Sequence, residues 1–359
     1  MKINGKKYST IWFDNDNQTV NIINQALLPH QLQIVILSTY QDSIDAIKKM
    51  KVRGAPLIGC TGAFGVYLAT KEFKNKNDLI KNCKKIIESR PTAVNLEWAV
   101  NRMLSKILST DNNQWESIAL IEAKNILKED VCFCKSIGEY GYNIFKNIKK
   151  DNDTLNILTH CNAGWLATVD WGTATAPIYY AHKKNLDIHV WVDETRPRLQ
   201  GAFLTSFELN NEKIKNTLIS DNTGGFLMQR NKIDVCITGA DRVMKNGDVI
   251  NKIGTYEKAI AAFENNIPFY VAIPSSTLDF SDKKTEDIVI EERSSTEMSH
   301  VTGIINNELQ ISQIYPSESE SLNIAFDITP SKFITGIITE HGVFDANESS
   351  LKNLITNLS

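Results

Sequence analysis

The chain has 359 residues, which at roughly 150 residues per domain suggests about two domains. Hydrophobic residues make up 42% and charged residues 23%, so a disordered chain, a collagen-like fibre and a disulfide-stapled mini-protein are excluded. Lys and Arg number 39 against 42 Asp and Glu, so the basic footprint of a nucleic-acid binder is missing and any anion must be held locally.

The first residues, Met1 to Tyr8, carry positive charge without an apolar stretch behind it, and no secretory signal is expected. Pro56 to Ala69 is weakly polar but too short to span a bilayer. Six cysteines at 60, 83, 132, 134, 161 and 236 show no CxxC spacing, which points to reduced, mostly buried thiols in a cytoplasmic protein.

The first half reads as mainly helical after a short β start. Lys7 to Phe13 and Thr19 to Ile23 are extended runs, and Asp14-Asn15-Asp16-Asn17 between them suits a hairpin. Helical patterns follow at Asp42 to Lys51, Leu57 to Glu72, Asn77 to Ser89, Val94 to Leu108 and Trp115 to Lys149. Gly59, Gly62 and Gly65 fall three apart, and each costs a helix about 1 kcal/mol relative to Ala. Close backbone packing on that face is the simplest reason for them.

The rhythm changes in the second half. Strands are expected at Leu155 to His160, Ile188 to Val192, Thr217 to Ser220, Val235 to Thr238 and Phe269 to Ile273. Helix-compatible stretches lie between them at Gly164 to Lys184, Leu199 to Leu209, Gly225 to Arg230 and Lys252 to Asn265. This alternation predicts an α/β chain with a doubly wound parallel sheet. The predicted domains are 1–150, helical with a small β-sheet, and 151–359, Rossmann-like, with a polar hinge at Lys149 to Thr154.

Ligands of open parallel sheets bind beyond the carboxyl ends of the strands. The five strands are followed by His160-Cys161-Asn162, Asp193-Glu194-Thr195-Arg196, Asp221-Asn222-Thr223, Gly239-Ala240-Asp241-Arg242 and Pro274-Ser275-Ser276. Cys161 lies where a strand is expected to yield to a helix, whose dipole would lower its pKa. A nucleophile or an oxyanion donor fits there; a small buried thiol is the plainer reading. Asp241 closes an apolar strand, where desolvation would suit general acid/base work. A helix cap or a partner for Arg242 is the alternative. Lys252, expected at a helix start, could meet a phosphate, and Arg53 and Arg90 each sit at a turn before a helix. His160 beside Cys161 does not suggest a dyad, because adjacent strand residues face opposite ways. No GxGxxG after a strand, GxxxxGK[ST], HExxH or GxSxG occurs, so neither a dinucleotide cofactor nor a catalytic metal is indicated.

Several motifs run in a recognisable order. They are Arg53-Gly54-Ala55-Pro56, Arg90-Pro91-Thr92-Ala93-Val94-Asn95, Thr159-His160-Cys161-Asn162-Ala163-Gly164 and Asp193-Glu194-Thr195-Arg196-Pro197 on to Gln200-Gly201-Ala202. Gly239-Ala240-Asp241-Arg242, Asn251-Lys252-Ile253-Gly254, Ile290-Glu291-Glu292-Arg293, Ala325-Phe326-Asp327-Ile328-Thr329-Pro330 and Glu340-His341-Gly342-Val343 complete the series. From about residue 50 onward the chain resembles the S-methyl-5-thioribose-1-phosphate isomerase family, which shares its fold with initiation factor 2B subunits. The resemblance implies a helical N-terminal domain with a small sheet, a Rossmann-like C-terminal domain and a homodimer. It implies an aldose–ketose isomerase of methionine salvage without metal or organic cofactor. Carried over by motif, Asp241 is the proton donor and Cys161 the transition-state stabiliser. Arg53, Gly54, Ala55, Arg90, Gln200, Asn251 and Lys252 become phosphate and sugar contacts.

The chain departs from the family pattern at Trp165, Trp171, Phe203 (usually Arg), Glu97, Asn101 and Thr223 to Phe226. These departures touch substrate identity more than reaction type. A related aldose 1-phosphate, such as 5-deoxyribose 1-phosphate or ribose 1,5-bisphosphate, is one alternative. A non-catalytic scaffold subunit is the other.

Overall fold

A computed structural model describes residues 1–90, 93–148 and 153–356. The predicted hinge falls largely on 149–152, and the Arg90 turn runs into Pro91 and Thr92; these positions lie outside the described residues.

The chain starts with two short antiparallel strands, β1 (Lys2–Ile3) and β2 (Lys6–Lys7). A three-stranded antiparallel sheet follows: β3 (Ile11–Asp14), β4 (Thr19–Ile23) and β5 (Ile34–Leu37). The Asp14–Asn17 turn closes the β3–β4 hairpin, with Asn17 Nδ2 donating to Asp14 Oδ2 at 2.8 Å. Sequence reading missed β5, whose Ile34 and Ile36 face outward rather than into the core.

Five helices then build the first core: α1 (Tyr40–Lys48), α2 (Ala55–Glu72), α3 (Lys76–Ile87), α4 (Val94–Leu108) and α5 (Trp115–Ile148). Each lies within three residues of its predicted start. Thr39 and Asp42 form a capping box on α1, and Asn75 caps α3. Helix α2 is apolar nearly all round, as a helix surrounded by others must be. Its glycines let α4 approach: a Cβ on Gly59 would stand 2.9 Å from the Asn95 carbonyl oxygen, and one on Gly62 would collide with Leu96.

The second half contains β6 (Leu155–Thr159), α6 (Ala176–Lys183), β7 (Ile188–Asp193), α7 (Ser206–Asn211), β8 (Asn216–Ile219), α8 (Thr223–Gln229) and β9 (Val235–Thr238). It continues with β10 (Arg242–Met244), β11 (Val249–Lys252), α9 (Thr255–Glu264), β12 (Phe269–Ala272) and β13 (Leu278–Asp279). Last come α10 (Thr296–Ser299), β14 (His300–Ile305), β15 (Glu308–Gln313), β16 (Phe326–Thr329), β17 (Gly336–Thr339), β18 (Gly342–Phe344) and α11 (Glu348–Thr356). Seven strands form one sheet in the order β18-β17-β12-β9-β6-β7-β8. All its pairings are parallel except β17–β18. This is the predicted doubly wound sheet. Ile157 of β6 packs into one core and the adjacent Leu158 into another, so both faces are covered. Met1, Ile3, Ile23 and Leu28 join the core on the Ile157 side.

Three local expectations are corrected. The stretch Gly164 to Lys184 is not one helix. It makes a single 3-10 turn at Trp165–Ala167, then a loop, then α6. Trp171 and Gly172 have φ of 73° and 78°, which a right-handed helix does not admit. The stretch Leu199 to Leu209 opens as a wide π turn at Gly201–Thr205 before α7. Lys252 ends strand β11 instead of starting a helix. It belongs to a second, four-stranded sheet, β13-β10-β11-β16, whose strands of two to four residues give little periodic signal.

The α5–α6 contact leaves no room for side chains. A Cβ on Gly141 would lie 2.2 Å from Pro177 Cγ, in a ring that cannot swing away. Gly141→Ala gains about 1 kcal/mol of helix propensity and loses more to overpacking, of order 1–3 kcal/mol. A urea titration should show a lower midpoint for this variant; an unchanged or higher midpoint refutes the tight contact.

Candidate active site

The parallel sheet reverses its strand order between β6 and β9. From β6 the chain winds outward through β7 and β8, then returns to β9 and winds the other way through β12 and β17. A crevice opens beyond the carboxyl ends at such a switch point. Cys161 follows β6 and Asp241 follows β9, so the two residues singled out from the sequence meet there. One cavity is lined by Arg53, Gly54, Ala55, His160, Cys161, Asn162, Gly239, Asp241 and Asn251.

Cys161 has φ of 63°, held by its neighbours. Its N–H donates to Thr195 Oγ1 at 2.8 Å, and its carbonyl accepts from Thr205 Oγ1 at 2.7 Å. No α-helix starts at Cys161; the next begins at Ala176, so the expected helix dipole is not aimed at the thiol. His160 and Cys161 both lie past the end of β6, so strand alternation does not set them; the His160 ring is held by partners of its own. Its Nδ1 lies 2.9 Å from Asp193 Oδ2 and its Nε2 lies 2.8 Å from the Ile253 carbonyl oxygen.

Asp241 is half-buried and leads straight into β10, so it caps no helix. The helix-cap reading of Asp241 thus loses its support. Arg242 pairs with Asp279 at 2.7 Å.

Arg53 is held by the residue after Cys161. Its Nη1 donates to Asn162 Oδ1 at 2.5 Å and its Nη2 to the Asn162 carbonyl oxygen at 2.6 Å. Burial pushes the guanidinium down from its usual value, opposed by Cys161 and Asp241. Asn162 Nδ2 in turn donates to Glu208 Oε1 at 2.9 Å. Glu208 is fully buried and also accepts from the N–H groups of Trp165 and Leu166 and from the Tyr179 hydroxyl. Burial raises its carboxyl above the usual range, and these donors oppose the shift. Sequence reading missed Glu208, because its partners lie more than 25 residues away in the chain.

Gly54 has φ of 90°, and a Cβ there would overlap Ala167 at 2.5 Å. It sets the N-terminus of α2, which has no side-chain cap and opens onto the cavity. An uncapped helix start beside an arginine is an anion site in waiting.

The remaining predicted contacts lie around this centre. Arg90 lines a second chamber, reached past Asp241, together with Arg242 and Arg293. Its Nη2 is 3.6 Å from Glu291 Oε2, beyond hydrogen-bond reach, so the guanidinium keeps donors for a ligand. Gln200 lines a third chamber that shares Arg53 with the central cavity. Lys252 is buried, with its Nζ on the Ala325 carbonyl oxygen at 2.8 Å and 4.6 Å from the centre of the Phe326 ring. Burial lowers its pKa, offset by Cys161 and Asp241. Among the described residues, His160, Asp193 and Asp221 have metal-like spacing. That donor set does not fit an ion. The imidazole nitrogens are occupied, Lys258 Nζ lies 3.4 Å from Asp193, and Asp221 accepts from the N–H groups of Thr195 and Arg196.

The model of the initiation factor 2 subunit family matches residues 51–346. The chain belongs to that family. A relative from Desulfatibacillum aliphaticivorans named methylthioribose-1-phosphate isomerase is 50% identical over 99% of this chain and 98% of its own length. One of the same name from Escherichia coli O45:K1 is 46% identical, covering 100% of this chain and 97% of its own. The solved 5-methylthioribose 1-phosphate isomerase of Pyrococcus horikoshii OT3 aligns with a TM-score of 0.83 at 38% identity, over 98% of this chain and 97% of that one. A structure from A. fulgidus described as translation initiation factor eIF-2B subunit delta aligns at 0.78 and 37% identity, over 96% and 100%.

Against this family background the departures sort themselves. Trp165 is fully buried in the core on the Ile157 side and is not among the residues lining the cavity. Trp171 lies under the Lys183 ammonium, 3.7 Å from the ring centre. Phe203 lines the Gln200 chamber.

The cavity wall at Ala167 and Thr168 is braced by Asp130 of α5, which accepts the Val169 N–H at 2.7 Å. Burial raises the Asp130 carboxyl from 3.8 to about 7. A raised folded-state pKa favours the fold below the unfolded value and stops doing so as pH climbs through the folded one. The stability contribution is therefore lost between about pH 4 and 7. Asp130→Asn keeps an acceptor for Val169 and removes the charge. It should leave stability near wild type at pH 4 and raise it by about 2–4 kcal/mol at pH 8. Equal effects at both pH values in chemical denaturation would contradict a buried, neutralised Asp130.

Proposed function

We propose that this chain is an aldose–ketose isomerase that converts 5-methylthioribose 1-phosphate to 5-methylthioribulose 1-phosphate in methionine salvage. The relatives' names support the reaction, and the meeting of Cys161 and Asp241 at the sheet's switch point is the observation that carries the site. In this reading Asp241 is the proton donor and Cys161 stabilises the transition state. Arg53, Arg90, Gln200, Asn251, Lys252 and the α2 N-terminus at Gly54 and Ala55 hold phosphate and sugar.

The substrate dictates the chemistry. C1 carries the phosphate, so no free aldehyde is available and the ring must open with the phosphate retained. Asp241 gives a proton to the ring oxygen as the C1–O bond breaks. One hydrogen then moves from C2 to C1, as hydride or through a cis-phosphoenolate. The C2 hydroxyl gives its proton to the Asp241 carboxylate left by the first step and becomes the ketone, so the acid is restored. Cys161 hydrogen-bonds the oxygen on which charge builds. Closure of the two parts, 1–150 and 151–359, over the substrate would exclude water from the intermediate. Six unpaired thiols accord with a cytoplasmic setting, and we include a homodimer in the reading. No helix among the described residues is long and apolar enough to cross a membrane.

The test is incubation with 5-methylthioribose 1-phosphate, 5-deoxyribose 1-phosphate and ribose 1,5-bisphosphate in the presence of a chelator, with ketose formation followed by NMR. The methylthio sugar should turn over fastest. Preference for another sugar would move the pathway, and no turnover of any would return the chain to a scaffold role. Asp241→Asn should lower kcat by about 10²–10⁴ while melting like wild type, since only proton transfer is removed. Arg90→Ala should raise KM by roughly 10- to 100-fold, the equivalent of about 1.5–3 kcal/mol of charged hydrogen bonds. An unchanged KM would take Arg90 out of the binding set.

A further inference from the structure

We propose that Glu291 is a built-in counter-ion of the chamber that contains Arg90. It balances Arg90 and Arg293 between turnovers and works against a bound phosphate, so that substrate and product are held loosely enough to leave. The inference rests on the isomerase reading above, with the phosphate in that chamber.

The chamber reached past Asp241 concentrates fixed positive charge. Arg90, Arg242 and Arg293 all line it, and their side chains are 13%, 11% and 11% exposed. A guanidinium does not shed its proton, so each of these needs an anion nearby. Arg242 has Asp279 at 2.7 Å, and Arg293 Nη2 has Glu297 Oε1 at 2.8 Å. Neither of those carboxylates lines the chamber. Among the described residues, the one ion pair of Arg90 is with Glu291.

Glu291 does line the chamber, with one oxygen toward each of two guanidiniums. Its Oε2 lies 3.6 Å from Arg90 Nη2 and its Oε1 lies 3.6 Å from Arg293 Nε. Both distances are short enough for attraction and too long for a hydrogen bond. Oε2 is buried and has no hydrogen-bond partner among the described residues. The carboxylate therefore offsets charge while leaving the guanidinium donors to a phosphate, which takes them in pairs. The need for an offset shows in Arg293. Burial pulls it down from its usual value and Arg90 adds to that shift, while Glu297 and Glu291 oppose it.

The backbone here is pinned and the side chain is not. The Glu291 carbonyl oxygen accepts the Ala325 N–H at 2.9 Å, and the Arg293 N–H donates to the Asn323 carbonyl oxygen at 2.9 Å. The Glu291 side chain is 30% exposed, so it has a way out to solvent. A phosphate either drives it there, at the cost of its attraction to the arginines, or meets it as a like charge. Both outcomes weaken binding. Weakening that applies equally to substrate and transition state raises KM without slowing the chemistry. The Ile290 to Arg293 motif, which the contacts carried over by motif leave without a part, gains one in this way. A Glu291 that only held Arg90 in place for the phosphate would have the opposite effect.

The test is titration calorimetry with inorganic phosphate on wild type, Glu291→Gln, Glu291→Ala and Glu292→Gln. Thermal unfolding, and kcat and KM for 5-methylthioribose 1-phosphate, are measured on each. Glu292→Gln removes the same charge one position away, from a residue that does not line the chamber. Glu291→Gln should bind phosphate about 3- to 30-fold more tightly than wild type. Its KM should fall by a similar factor while kcat does not rise. Glu291→Ala should change in the same direction and decides the matter if the glutamine form does not fold. Glu292→Gln should stay within about twofold of wild type, since its charge is screened by solvent. Phosphate binding that is absent, unchanged or weaker in the Glu291 variants overturns this inference, and so does an equal gain in Glu292→Gln. A wild type that turns over no sugar overturns the isomerase reading instead, because the phosphate titrations do not depend on turnover.

Discussion

A single buried carboxylate organises the site. Glu208 sits with no solvent contact and four donors around it: Asn162, the backbone of Trp165 and Leu166, and Tyr179. A charge in that position is tolerable only when its acceptor sites are filled. The donors are therefore held as firmly as the acceptor. They fix the irregular path from Cys161 to Leu166, where no regular hydrogen-bond ladder could do so. Asn162 passes the order on to Arg53, which comes from the helical half of the chain. One line of hydrogen bonds thus runs from α7 across the turn after β6 to the entrance of α2.

A second set of ties joins the same two halves. Asn95 of α4 donates to Ser276 Oγ at 2.9 Å and accepts from Thr277 Oγ1 at 3.2 Å. Glu340 accepts the Ser275 N–H in the same turn at 2.9 Å. Asp327 accepts the N–H groups of Gly254 and Tyr256, and burial raises its carboxyl to about 6. The Glu340 and Asp327 motifs therefore brace the turns around the site without lining the cavity.

The parallel sheet and its reactive ends were legible because each strand is a compact apolar run that stops at polar residues. Val235 to Thr238 and Val94 to Leu108 match their predicted bounds. Periodicity failed where tertiary contacts set the backbone. The Thr195 N–H, at a positive φ, is taken by Asp221, and the N–H groups of Trp165 and Leu166, where the expected Gly164 to Lys184 helix breaks, are taken by Glu208. Strand β11 ends at Lys252 only three residues before α9 begins, which is why the pattern there suggests a helix start. Pairings such as Arg242 with Asp279, or Arg53 with Asn162, span 37 and 109 residues and leave no local trace.

The switch-point geometry separates two properties that many enzymes leave entangled. Cys161 and Asp241 follow the ends of adjacent central strands of one sheet, β6 and β9. Arg53 and Arg90 come from the helical half. A rocking of one half against the other would move Arg53 and Arg90 while the spacing between thiol and carboxyl stays as the sheet sets it. In the proposed reading, the part of the hold on a ligand that Arg53 and Arg90 supply can be retuned in the helical half without rebuilding the pair that reacts.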